Sequence, residues 1–118
     1  MQTKLTTTEI TQMSEVMAEY MGLEISKNMY GDTYSELPNG DNIFHRHIPS
    51  WDWLHEVWEK VREENTDEDV MDDYIFIEFQ NLKDKIQHFI VFGTPEQCFI
   101  ALYEAIKFIN QLKQENNA

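Results

Sequence analysis

Gly93-Thr-Pro-Glu-Gln97 constrains this chain more tightly than any other stretch. Glycine stops whatever precedes it, and Thr94 offers an N-cap oxygen. Proline suits the first helical position, where no amide hydrogen is needed, and Gln97 completes a capping box. A helix therefore starts at Pro95. Cys98, Phe99, Leu102, Ala105, Ile106 and Ile109 follow at helical spacing, all within about 60° of Leu102 at ~100° per residue. They predict a buried stripe on a helix running to about Lys113. Ile100 falls on the polar side, and Tyr103 and Phe108 lie on the two flanks. Apolar residues spread this widely mark a second packing surface, taken up either by more of this chain or by a partner, so Ile100, Tyr103 and Phe108 are candidate oligomer contacts.

Two further helices carry start signals. Thr6 and Glu9 have capping-box spacing, and Ile10, Met13, Val16, Met17, Tyr20 and Met21 recur at three- and four-residue steps before Gly22. Pro49-Ser50 supplies a stop and an N-cap for a helix from Trp51 to about Glu64, with Asp52 at its positive end. On that helix Leu54 centres a buried stripe with Trp51, Val57, Trp58 and Val61, which makes Trp51 and Trp58 core aromatics. Trp53 falls at the margin, as a candidate partner contact or a residue packed under the preceding loop.

Strand signals fill the gaps. Turn-rich Tyr30-Gly-Asp32 and Pro38-Asn-Gly-Asp41 bracket two short strands near 24–30 and 42–48. Tyr74-Ile-Phe-Ile-Glu-Phe79 and Lys85-Ile-Gln-His-Phe-Ile-Val-Phe92 are β-branched and aromatic, which predicts an antiparallel hairpin turning at 81–84. The expected fold is one α+β domain over 1–118, a small antiparallel sheet with three helices packed on it, in the order α-β-β-α-β-β-α.

Charge narrows the function classes. The 118 residues carry a formal charge of -13, and residues 81–118 are balanced, with Lys83, Lys85, Lys107 and Lys113 against Asp84, Glu96, Glu104 and Glu115. Residues 59–73 hold eight carboxylates (Glu59, Glu63, Glu64, Asp67, Glu68, Asp69, Asp72, Asp73) against Lys60 and Arg62. Such a field repels phosphate backbones and attracts basic proteins, so Glu63 through Asp73, with Trp53, are the candidate partner-binding residues, and direct nucleic-acid binding is not expected. The segment lacks the glycine and ligand order of a calcium loop. Mean hydropathy is -0.55, and the longest apolar runs fall far short of a membrane span. The N-terminus has no apolar signal region, so an intracellular, cytoplasmic location is expected, and the single Cys98 suits a reducing compartment.

Catalytic chemistry is not spelled out. His45 and His47 alternate and would share one face of a strand, with His55 on the next helix. Three imidazoles suit zinc, but no carboxylate or cysteine stands at ligand spacing, so no metal or other cofactor is expected. His88 alternates with Ile86 and Ile90, as a packed, hydrogen-bonded strand histidine would. Phosphate loops, dinucleotide fingerprints and nucleophile elbows are missing.

His47, Ser50, Trp51, Asp52, Trp53 and Leu54, together with Ala105, Ile106, Lys107, Phe108, Ile109 and Asn110, resemble a group of small phage and mobile-element proteins of the Bacteroidetes. In that group a Ser-Trp-Asp-Trp-Leu segment opens a helix. The resemblance implies a viral or prophage origin and brings no catalytic residues; the acidic 63–73 segment departs from it. Charge and resemblance together point to a non-enzymatic binding module, an inhibitor that mimics nucleic acid toward a basic host defence protein. The alternative is a self-associating structural or accessory phage protein.

Overall fold

The computed structural model describes residues 5–64 and 73–116. They are α+β in character, with four helices and a three-stranded antiparallel sheet, and the chain divides into two compact units, 1–50 and 51–118. Among the described residues no helix is long and apolar enough to cross a membrane.

Unit 1 holds α1 (Thr7–Tyr20), β1 (Ser26–Lys27), β2 (Thr33–Glu36) and β3 (Asn42–Phe44). The capping box forms as expected: Glu9 N–H donates to Thr6 Oγ1 and Thr6 N–H to Glu9 Oε1, both at 3.1 Å. The strands make a meander in the order β1-β2-β3, with Tyr34 opposite Ser26 on one side and Phe44 on the other. β1 and β3 lie within the two expected strands; β2 was not expected. Two similar turns create it. Asn28 Oδ1 accepts from the N–H groups of Tyr30 and Asp32, both at 3.0 Å, and Asn39 Oδ1 accepts from Asp41 N–H at 2.9 Å. Gly31 (φ 86°) and Gly40 (φ 95°) take the left-handed conformation that each turn needs and that side chains with a Cβ resist.

Unit 2 is helical, with α2 (Trp51–Glu63), α3 (Asp73–Phe92) and α4 (Pro95–Asn116). The expected hairpin at 74–92 is therefore corrected to one helix, and the order becomes α-β-β-β-α-α-α. Local strand propensity is worth about 1 kcal/mol at most and yields to packing. Ile75, Phe79, Leu82, Ile86 and Ile90 stand at helical spacing, and Phe79 and Ile86 are buried. Phe79 stacks on Phe108 of α4 at 5.7 Å and 21°, and Lys85 Nζ lies 3.3 Å from Glu104 Oε2. Phe79 and Phe108 are equidistant from the 93–94 turn and Lys85 and Glu104 nearly so, which makes α3 and α4 antiparallel.

The turn itself follows the sequence. Thr94 N–H donates to Gln97 Oε1 at 2.9 Å and Gln97 N–H to Thr94 Oγ1 at 3.2 Å, completing the box. A Cβ on Gly93 would sit 2.9 Å from Phe89 Cα in the last turn of α3, and as close to the capping Gln97 Oε1, so glycine is what lets the chain turn this tightly between the helices. The stripe expected on α4 is buried throughout: Cys98, Phe99, Leu102, Ala105, Ile106 and Ile109. On α2 the buried face is Trp53, Leu54, Val57 and Val61, and Trp51 and Trp58, expected in the core, are corrected to half-buried. That face is rotated by about 45° from the expected centre at Leu54, toward Val57. Of the two alternatives for the marginal Trp53, partner contact or packing, the structure has packing: it is a core residue at 5% exposure.

Phe79→Ala should cost about 3–5 kcal/mol in chemical denaturation, because it deletes a buried ring and its partner's stack. Tyr74→Ala, at a residue 77% exposed, should stay within about 0.5 kcal/mol of the parent. Similar losses for the two would contradict the helical packing of α3.

Candidate functional site

Among the described residues, α2 carries its carboxylates in a regular row. Asp52, Glu56, Glu59 and Glu63 are spaced 4-3-4 and all exposed. At ~100° per residue they fall within about 60° of arc, on the side opposite Leu54, Val57 and Val61. The row is about 16 Å long at 1.5 Å per residue. Its successive members are like charges three or four residues apart, each pair opposing the helix by about 0.2–0.5 kcal/mol. Lys60 and Arg62 flank the row, and Glu56 and Lys60 have favourable i,i+4 spacing.

The expected acidic surface is thus placed in part. Glu63 is exposed and belongs to the row, while Glu64 is half-buried, with its Oε1 3.5 Å from Lys113 Nζ. Asp73 opens α3, and Asp67, Glu68, Asp69 and Asp72 lie outside the described residues. Sequence reasoning missed Asp52 and Glu56, and counted Glu59 in the acidic run without assigning it to the site. It assigned Asp52 only to the helix dipole, yet the 4-3-4 spacing is legible from the letters.

Unit 1 contains a sealed polar cluster. His45 is fully buried, its Nδ1 2.7 Å from Ser14 Oγ on α1 and its Nε2 2.8 Å from Ser35 Oγ on β2. Ser14 and Ser35 are themselves buried, at 1% and 0% exposure. One hydroxyl donates to the bare ring nitrogen and the other accepts from the ring N–H, so a neutral imidazole satisfies all three groups. Burial lowers the His45 pKa below the ordinary 6.5, against the nearby Glu15 carboxylate, which raises it. Glu15 also accepts from Thr33 Oγ1 at 2.9 Å, a second tie from α1 to β2. A serine–histidine pair shut from solvent offers no nucleophile to a substrate. It is a structural clasp on α1, β2 and the residue after β3.

The remaining expected groups disperse. The shared face of His45 and His47 is corrected: β3 ends at Phe44, and His47 is exposed while His45 is buried. His55 packs its ring edge-on to Trp51 at 6.0 Å. Among the described residues no group of three His, Cys, Asp or Glu is placed to hold a metal. His88 is corrected from a packed strand residue to an exposed one on α3, its ring 5.3 Å from that of Phe92. Burial pushes the Cys98 thiol up to about 11, which leaves it protonated and unreactive at neutral pH. Phe108 meets Phe79, so its flank is covered by this chain. Tyr103 and Ile100 are half-buried, with Lys107 Nζ 5.5 Å from the Tyr103 ring centre.

An open cleft in unit 1, lined by Thr7, Thr11, Gly31, Asp32, Thr33 and Arg46, holds about 230 Å³. That is below the ~300–1,000 Å³ of small-molecule sites, and Arg46 is 3.4 Å from Asp32.

The clasp makes stability depend on pH. Because the folded-state pKa of His45 is depressed, the unfolded chain binds the extra proton first as pH falls below 6.5. Stability should therefore decline from that point until the depressed folded value is reached. His45→Gln should flatten this part of the profile, measured by denaturation between about pH 7 and 5. Ser35→Ala should cost about 1–3 kcal/mol by leaving a buried ring nitrogen unpaired. An unchanged slope in His45→Gln would show that other groups set the acid sensitivity.

Comparison with protein-family models, curated proteins and solved structures finds no match to this chain.

Proposed function

We propose that the chain is a non-enzymatic binding module of phage or prophage type, working in the cytoplasm of a bacterial host, where its acidic surface occupies the nucleic-acid site of a basic protein. The observation that carries this reading is the row Asp52, Glu56, Glu59 and Glu63 on the outer face of α2. Its carboxylates average about 5.5 Å apart along the helix, against 3.4 Å per charge along one DNA strand. A groove of lysines and arginines that tracks a backbone can therefore follow it. The chain's remaining negative charge, -13 in all, steers such a partner to the row before contact. A rigid helix also presents its charges without first ordering a loop, which lowers the entropic cost of binding.

A second reading, a self-associating accessory protein, is favoured by one observation. Tyr74, Ile77, Val91 and Phe92 stand 58–78% exposed on α3.

The acidic-row reading is tested by capture from a bacterial lysate on the immobilised chain. The captured protein should bind duplex DNA, be released by added duplex and by salt, and bind the Asp52→Asn, Glu56→Gln, Glu59→Gln, Glu63→Gln variant about tenfold or more slowly. Circular dichroism should show the variant folded, since the row is exposed and its like-charge neighbours oppose the helix. Capture that neither DNA nor neutralisation disturbs would overturn the proposal.

A further inference from the structure

The outer face of α3 carries a second pattern, independent of the acidic row. Tyr74, Ile77, Asn81, Asp84, His88 and Val91 are spaced 3-4-3-4-3 and all are exposed. This is the a/d spacing of a coiled-coil seam, with Tyr74, Asn81 and His88 at a and Ile77, Asp84 and Val91 at d. It lies opposite Phe79 and Ile86, the residues that bury α3 within its own unit. The helix therefore exposes Tyr74, Ile77 and Val91 on the side away from its buried face, although a surface helix needs only one apolar face.

The order of residues along the seam identifies what covers it. Reversed on itself, the seam sets apolar Tyr74 against apolar Val91 and polar Asn81 against polar Asp84, with Ile77 and His88 forming the one mixed layer. Two copies laid antiparallel place Tyr74 against Val91, Ile77 against His88, and Asn81 against Asp84, each layer occurring twice about one dyad. In the central layers an amide faces a carboxylate, a pair that hydrogen-bonds and that fixes register as buried polar seam residues do. Along the flank, Glu78 falls opposite Lys85 of the other copy, and Gln80 opposite Gln87. Reversing the direction is what brings these opposite charges together. In a parallel pair Asp84 would meet Asp84, like charges in one layer, and Lys85 would face Gln80 rather than Glu78. In the antiparallel pair Lys85, already 3.3 Å from Glu104, sits between two carboxylates.

We infer that α3 is a self-association surface: two copies of the chain pair through their α3 helices, antiparallel and two-fold symmetric, with the dyad between residues 82 and 83. The seam holds one unbroken apolar layer at each end and mixed or polar layers between, so the dimer is weak and concentration-dependent. It leaves the outer face of α2 in each copy outside the seam. Because the face itself is nearly neutral within a chain of charge -13, salt should strengthen the pairing by screening the repulsion between whole copies. Binding through the acidic row responds to salt in the opposite sense, so failure of either reading is distinguishable from failure of the other.

The test uses the full chain. Molecular mass by sedimentation should rise toward twice the monomer as concentration increases, more readily at high salt, and Ile77→Glu should hold it at the monomer value with an unchanged dilute melting temperature. Direction is read by oxidation. The double variant Ile77→Cys, His88→Cys should form a disulfide-linked dimer, whereas Ile77→Cys alone should not, because the two copies of position 77 lie 11 residues, about 16 Å, apart along the axis. Native Cys98, buried and protonated, stays out of the reaction. A parent that remains monomeric up to about 1 mM, the millimolar range of very weak association, would overturn the proposal and leave the face to a different partner. A dimer from Ile77→Cys alone would overturn the antiparallel pairing.

Discussion

Close packing of α3 on α4 across the Gly93-Thr94 turn is the constraint on which unit 2 depends. Gly93 has no room for a Cβ beside Phe89 Cα, and the Thr94–Gln97 box starts α4 at once. With two residues between helices the only short solution is an antiparallel pair. The Phe79–Phe108 stack and the Lys85–Glu104 pair then fix its register. Once α3 is helical, its remaining apolar residues have nowhere to go within that pair. Tyr74, Ile77, Val91 and Phe92 are left facing solvent.

Much of this was legible in the letters wherever a cap and a period agreed. Thr6–Glu9, Pro49-Ser50 and Thr94–Gln97 placed three helix starts, and the stripe from Cys98 to Ile109 is buried as its spacing required. Where composition and period disagreed, composition misled. Tyr74-Ile-Phe-Ile and Phe89-Ile-Val-Phe92 are rich in strand-favouring residues, but the segment between Asp73 and Phe92 contains no glycine or proline to make a hairpin turn. Ile75, Phe79, Leu82 and Ile86 already stood at helical spacing. β2 escaped notice for the opposite reason: it is four residues long and its buried member is Ser35, so no apolar alternation announces it. His45 is buried because two serines, distant in sequence, satisfy it, and such pairing has no local signature.

The functional reading rests on surfaces that fold formation does not require. Like charges in line on α2 oppose one another, offset in part by Asp52 at the positive helix end and by the Glu56–Lys60 spacing, and the exposed apolar residues of α3 meet water at some cost in solubility. A binding module explains both: one face is chemically suited to a basic groove, the other to a second copy. Pairing would give two acidic rows per particle and raise their effective concentration toward any partner with repeated basic sites.

Everything on α3 presumes that residues 73–92 are one helix, and nuclear Overhauser effects between backbone protons in solution test that directly. Effects between successive amide protons, and from each α-proton to the amide proton three residues on, should run unbroken from Tyr74 to Phe92, including Asn81 to Asp84. Their loss at 81–84, together with effects between α-protons of 74–79 and those of 85–92, would establish the hairpin instead and remove the seam.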